Sequence, residues 1–210
     1  MRLKKKIHNS SIANLAILSV MAAIEIVFCF TPLGTIPVPG IAATMGHIPV
    51  IISAFILDKK YSMVMGLIMG TCSLIWWSTI GLGNPIAFGF TPFALYGNIF
   101  SLEICILPRF LIPVVASISF DFLRKKVGKS VVFSAGISAA IAAFTHSFLV
   151  LSQIFLLFSG NEAISEQLKG SILTVMIIPS IFSGIAEIIV ASLISVVIVK
   201  PLNSIGRIRK

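Results

Sequence analysis

TPLGTIPVPGIAATMGHIPVIISAFIL, residues 31–57, is the stretch whose reading decides how this chain folds. It follows an apolar run, and its first part carries Pro32, Pro37 and Pro39 with Gly34, Gly40 and Gly46 before apolar sequence resumes at His47-Ile48-Pro49. Each proline lacks a backbone donor, and Gly34 and Gly40 tolerate positive φ. The connector therefore turns repeatedly and cannot continue a helix. The expectation is a structured lid between two membrane spans, with an ordinary loop as the plainer alternative.

Working outward, the rest of the chain is more apolar than any soluble domain. Hydrophobic residues make up 57% and charged residues 11%, mean hydropathy is +1.07, and soluble domains carry roughly 25% charged residues. At about 20 apolar residues per span, 210 residues accommodate six helices and short loops as a single domain over 1–210. The expected fold is an all-α membrane protein with six transmembrane helices, near 12–30, 42–57, 63–80, 100–123, 131–158 and 172–199. The first run is long for the core of a secretory signal and no A-x-A-like cleavage site follows, so it reads as a retained helix.

Charge placement orients these spans. With the amino end inside, the inner segments hold Arg2, Lys4, Lys5 and Lys6, then Lys59 and Lys60, then Arg124, Lys125, Lys126 and Lys129, then Lys200, Arg207, Arg209 and Lys210, fourteen of the 16 Lys and Arg. Lys169 falls in an outer loop beside Glu162 and Glu166, and Arg109 falls within a span. Both termini are accordingly expected in the cytoplasm. The same interleaving with apolar spans explains the net charge of +9 without a nucleic-acid partner. The outer connectors, 31–41, 81–99 and 159–171, are rich in Gly, Pro, Asn and aromatics while the inner links are minimal, so a ligand should enter from outside.

Arg109, in SLEICILPRFLIPVV, sits about ten residues inside the fourth span, about 15 Å from its outer end. A charge at that depth costs on the order of 3 kcal/mol by insertion scales and needs a partner. Pro108 and Pro113 flank it and free carbonyls that can solvate a guanidinium. Its partner is either a ligand anion or one of Glu25, Glu103 and Glu187, although Glu103, six positions away, lies about 240° around the helix. His146, in AAFTHSFLVL, has a similar depth and is either a packing residue or a pocket contact, with Thr145, Ser147 and Ser152 supplying nearby hydroxyls. Trp76 and Trp77 end the third span, where an aromatic belt is expected and where one ring can cover a pocket mouth. Glu187 is expected deeper toward the cytoplasm than Arg109. Ser19-x3-Ala23 and Ala139-x3-Ala143 are spacings that allow close helix approach in lipid.

Absences bound the chemistry. There is no G-x-x-x-x-G-K-[ST], so the chain does not hydrolyse ATP by the P-loop route, and no H-E-x-x-H or G-x-S-x-G, so an intramembrane hydrolase lacks its parts. Cys29, Cys72 and Cys105 lie in apolar runs without metal-ligand or redox spacing, and no catalytic residue, metal or cofactor is expected. No clear repeat relates the two halves, which disfavours an inverted-repeat carrier. Two readings compete with a ligand-binding subunit: an intramembrane enzyme using His146 and Glu187, whose expected depths do not match, and a self-sufficient proton-coupled carrier using Glu25 and Glu187.

The runs FTPLGTIPVPGIAATMGHIPVIISAFIL, GLIMGTCSLIWW, LPRFLIPVVA, THSFLVLSQIFLLF and AEIIVASLI resemble the substrate-binding S components of energy-coupling factor (ECF) vitamin transporters over nearly the whole chain. The PLG-x-IP-x-P lid before His-Ile-Pro and the Leu-Pro-Arg of the fourth span are similar to the pantothenate-type branch; the acidic residues that precede the second helix in the riboflavin type are missing. The resemblance implies a multi-pass protein of the bacterial cell membrane that captures a vitamin from outside, pantothenate first among the candidates. It would dock on the transmembrane coupling protein EcfT, itself driven by two cytoplasmic ATPases. It also implies substrate contacts from Arg109, His146, Trp77, Trp76, Asn98 and His47, and a coupling-protein interface at Ser19 and Ala23, where Ser stands for the usual Ala. His146 stands where the family commonly has Asn in a Thr-Asn-Thr motif, a departure that bears on which vitamin is bound.

Overall fold

A ten-residue helix, α2 (His47–Ile56), lies at the centre of the molecule, and every residue from His47 to Phe55 in it is buried. Its composition explains the position: apolar on all sides, it has no face to give to water or headgroups. Val50, Ile51, Ala54 and Phe55 pack with Met65, Ile112, Ala116, Phe120, Ala135, Ala139, Ala142, Ala191 and Val199 in one core cluster. The computed structural model describes residues 2–36, 43–127, 130–206 and 208. Pro37, Pro39 and Gly40 of the lid, Lys129 of an inner link, and Arg207, Arg209 and Lys210 lie outside the described residues.

Around α2 stand α1 (Arg2–Phe30), α3 (Lys59–Ser78), α4 (Ile99–Val127), α5 (Val131–Phe158) and, after the short α6 (Glu162–Gln167), α7 (Ile178–Ser204), which continues a π-helical turn at Leu173–Ile177. Among the described residues five helical segments are long and apolar enough to cross a bilayer: Ser11–Phe30, Lys59–Ser78, Ile99–Lys125, Val131–Phe158 and Leu173–Ser204. The second expected span, 42–57, is replaced by α2, whose ten residues extend about 15 Å, half of a hydrocarbon core of about 30 Å. The shortfall has its cause in the lid. Ala43 and Thr44 form a strand, β2, antiparallel to β1 (Thr35–Ile36) in the register Thr35↔Thr44 and Ile36↔Ala43, so backbone expected in the helix pairs across the lid instead.

The lid is tied to α1 as well. α1 stops before Pro32, where a three-ten turn, Pro32–Gly34, begins; a Cβ on Gly34 would sit 1.9 Å from Phe28 O, so only glycine lets the chain fold back this tightly. Met45 N donates to Gly34 O at 2.7 Å, closing the base of the loop.

α3 and α4 approach closely because α3 carries Gly66 and Gly70 one turn apart. A Cβ on Gly66 would meet Arg109 O at 2.8 Å and Phe110 Cα at 2.9 Å, and one on Gly70 would meet Ile106 Cα at 3.2 Å. Small residues act likewise between α5 and α7, where Ala139 and Ala143 are buried and Ser192 Oγ donates to Gly136 O at 3.0 Å. A second apolar cluster closes the end of the bundle that carries the 79–98 loop, joining Phe88 and Phe90 of the loop to Ile104, Ile154, Phe158, Ile164, Leu168 and Met176. Gln167 Nε2 donates to Pro85 O at 3.0 Å, fastening α6 over that loop.

Candidate functional site

Between the lid, the 79–98 loop and α1, α3, α4, α5 and α7 lies a cavity of about 850 Å³ whose lining includes Glu25, Trp76, Trp77, Phe90, Arg109, His146 and Glu187. Arg109 is 6% exposed. Its position follows from the prolines beside it. Residue 108 of a regular helix would donate its N–H to the carbonyl of residue 104, but Pro108 has none, and Arg109 Nη1 takes that carbonyl at 2.8 Å. Pro113 leaves Arg109 O without a helical donor in the same way, and that carbonyl faces the flat surface made by Gly66.

Only one nitrogen of the guanidinium has a protein acceptor described; Arg109 Nε is buried without a partner. Its Cζ lies 5.4 Å from the centroid of Phe90, and Trp77 stacks on the same Phe90 ring at 4.7 Å and 18°. The rings hold the cation in an apolar wall by cation–π and stacking contacts. Among the described residues no carboxylate is within ion-pairing distance of Arg109; the ion pair described is Lys59 with Asp121, 3.2 Å apart near an inner link. Arg109 thus lines the cavity with donor capacity that the described residues leave unfilled, and an acceptor with negative charge suits such a site.

The cavity brings together four of the six expected contacts, Arg109, His146, Trp77 and Trp76. His47 stands behind them rather than in the lining: it is 1% exposed and its ring stacks on that of His146 at 6.2 Å and 22°. Asn98 is also absent from the lining and has a local task. Its Oδ1 accepts from Phe100 N at 2.9 Å, satisfying an orphan donor in the first turn of α4, while Ser101 Oγ, bonded to Asn98 N, donates to Phe88 O at 2.6 Å. Of the hydroxyls near His146, Ser147 lines the cavity, whereas Thr145 Oγ1 bonds back to Ile141 O at 2.8 Å.

Three more residues join the site, two of them acids that the sequence reading weighed as partners of Arg109. Glu187, expected deeper than Arg109, lines the same cavity and holds the lid: its Oε1 accepts from Thr44 N at 2.7 Å and from Thr44 Oγ1 at 3.1 Å. Glu25 is 1% exposed and lines the cavity from α1. Phe90, in an irregular loop, had no periodicity to mark it as buried. Glu103, by contrast, faces a separate surface groove with Leu67, Phe100 and Phe110, so it is no partner for Arg109.

Residues 13–199 match the family described as ECF transporter, substrate-specific component. Over 205 residues the chain is 28% identical to the protein named pantothenic acid transporter PanT of Lactococcus lactis subsp. cremoris (strain MG1363), covering 95% of this chain and 96% of that one. That family is a transporter component rather than an enzyme family, and with five long apolar helices the protein is a multi-pass protein of the bacterial membrane. A bundle whose buried arginine lines a cavity beneath the 79–98 loop, in a chain matched by that family over residues 13–199, belongs to the substrate-specific components of ECF transporters.

Proposed function

We propose that this chain is the pantothenate-capturing subunit of its transporter. The observation that carries the reading is the buried guanidinium of Arg109, with no carboxylate within ion-pairing distance among the described residues, in the wall of a cavity of about 850 Å³. Small-molecule sites typically span about 300–1,000 Å³ and pair apolar walls with a few placed polar groups. Pantothenate has a carboxylate, an amide, hydroxyls and a geminal dimethyl group. The carboxylate takes the free edge of Arg109, the dimethyl group lies among Trp77, Phe90 and Ile154, and His146 and Ser147 meet the polar middle. Neutral analogues leave a buried cation unpaired and are rejected for that reason.

In this account six segments traverse the bilayer, the second being residues 42–57 with the short α2 as its helical part, both termini are cytoplasmic, and residues 1–210 act as one domain. The lid, latched by Glu187 to Thr44, opens outward. Ser19 and Ala23, both exposed on α1, lie on the surface offered to EcfT, and two cytoplasmic ATPases drive release. Isothermal calorimetry of the purified protein with pantothenate tests the reading: one site with micromolar or tighter affinity supports it, and no heat of binding at millimolar ligand rejects it.

A second reading draws on the presence of Glu25 and Glu187 in one cavity, as a proton-coupled carrier requires. Uptake by proteoliposomes that contain this chain and no ATPase would favour it; uptake only with the coupling module present favours the first.

A further inference from the structure

α1 behaves unlike the other long helices. Across residues 11–30 its apolar side chains are exposed or half-buried, and the one side chain fully buried is an acid, Glu25. On a membrane-spanning helix apolar side chains face lipid, and an ionisable one turned to the interior marks by default a substrate or ion pathway. Here Ile24, Ile26 and Val27 face outward, 37%, 48% and 45% exposed, while the carboxyl between them is 1% exposed.

The buried carboxyl is given little by the protein. Glu25 Oε2 has no hydrogen-bond partner, and among the described residues no cation is within ion-pairing distance of it. Room is made for it: Gly46, at the start of α2, has no side chain, and a Cβ there would stand 3.4 Å from Glu25 Oε1. Glu187, the other acid of the cavity, has a protein task in holding Thr44. Glu25 has none described. An unpaired polar group buried in protein costs about 1–3 kcal/mol, and more when charged, so a group arranged this way is completed by whatever fills the cavity.

Arg109 and Glu25 therefore stand in one cavity, each without its natural counter-group, and they do not neutralise each other. Arg109 offers donors only and the carboxyl oxygen of Glu25 offers an acceptor. A molecule that is an anion at one end and a hydroxyl donor at the other satisfies both. We propose that Glu25 is a second substrate-contacting residue, whose carboxyl accepts a hydrogen bond from a hydroxyl at the end of the ligand remote from its carboxylate. The inference rests on the reading of the cavity as a pantothenate site and adds the group that recognises the hydroxylated half.

The test compares the unaltered protein, Glu25→Leu, Glu25→Gln and Arg109→Ala, each titrated calorimetrically with pantothenate and with the analogue in which its hydroxyls are replaced by hydrogen. Glu25→Leu should weaken pantothenate at least tenfold yet bind the deoxy analogue within about twofold of the unaltered protein. Glu25→Gln, which keeps an acceptor oxygen in place, should stay within about threefold for both ligands, and Arg109→Ala should lose both. Thermal unfolding of the ligand-free proteins separates binding from structure: Glu25→Leu should melt at or above the parent midpoint, since it removes a buried unpaired carboxyl. Equal losses for both ligands in Glu25→Leu, with a lowered midpoint, would make Glu25 a structural residue and overturn the inference while leaving the pantothenate site standing. So would unchanged pantothenate affinity in that variant. No binding of pantothenate by the unaltered protein overturns both.

Discussion

Replacing Gly66 by alanine places a methyl group where α3 meets the turn of α4 that carries Arg109. The new Cβ would lie 2.8 Å from Arg109 O, 2.9 Å from Phe110 Cα and 3.1 Å from Pro113 Cγ, against the 3.4 Å at which ordinary contact begins. Two of the three atoms are backbone, so no rotamer change relieves the clash and α4 must retreat by roughly half an ångström. Overpacking of this kind costs about 1–3 kcal/mol, while alanine gains about 1 kcal/mol over glycine within a helix. The net is roughly 0–2 kcal/mol of lost stability. Gly66→Leu, whose bulk cannot be absorbed, should exceed the upper figure. Because the displaced backbone carries the guanidinium, pantothenate affinity in Gly66→Ala should fall at least threefold along with the unfolding midpoint. Gly70→Ala, with 3.2 Å to Ile106 Cα, should be milder, and Gly160→Ala, with nothing within 4 Å, should leave affinity unchanged. Thermal unfolding in detergent and calorimetry read both effects. A Gly66→Ala protein at least as stable as the parent, with unaltered affinity, would refute the close approach of α3 and α4 on which the placement of Arg109 depends.

Two further outcomes follow from the lid and from α1. Glu187→Ala removes the acceptor of both Thr44 hydrogen bonds; with charge-assisted bonds worth about 1.5–3 kcal/mol when buried and Thr44 exposed, pantothenate should dissociate up to about tenfold faster. Stopped-flow displacement measures this, and an unchanged off-rate would show that the latch does not hold the ligand in. Ser19→Trp puts a large ring on an exposed face of α1; binding should stay within about twofold while uptake with the complete coupling module falls at least tenfold, and unimpaired uptake would remove Ser19 from the docking surface.

Much of the site was legible because lipid makes certain residues conspicuous. A charge cannot sit at depth without a reason, which singled out Arg109, and the loss of a donor at Pro108 correctly anticipated a free carbonyl for it, Ile104 O. The bounds of α5 agreed with the apolar run from Val131 to Phe158, since Ser130 caps it by accepting from Phe133 N. The truncation of α2 was not legible: 42–57 is apolar enough to span, and the pairing of Thr44 with Thr35 that shortens it is a non-local event. Glu187 was weighed as a possible partner of the pocket, and it lines the cavity with Arg109; its bonds to Thr44 could not be read from the sequence because they join segments 143 residues apart. Asn98, named only through the resemblance, also accepts from Phe100 N at the start of α4. Gly66-x3-Gly70 was available as a signal and pointed to the α3–α4 contact that seats the arginine.

The central claim is that a buried cation waits for an anion. Its most direct measurement is the ratio of affinities for pantothenate and for its alcohol analogue pantothenol, in which the carboxylate becomes a hydroxymethyl group, taken on the unaltered protein and on Arg109→Ala. Leaving a buried charge unpaired costs on the order of 3 kcal/mol, so the unaltered protein should prefer pantothenate by at least about a hundredfold, and in Arg109→Ala the preference should shrink below about threefold. Equal affinity for the two ligands in the unaltered protein, or full discrimination surviving in Arg109→Ala, would contradict the account.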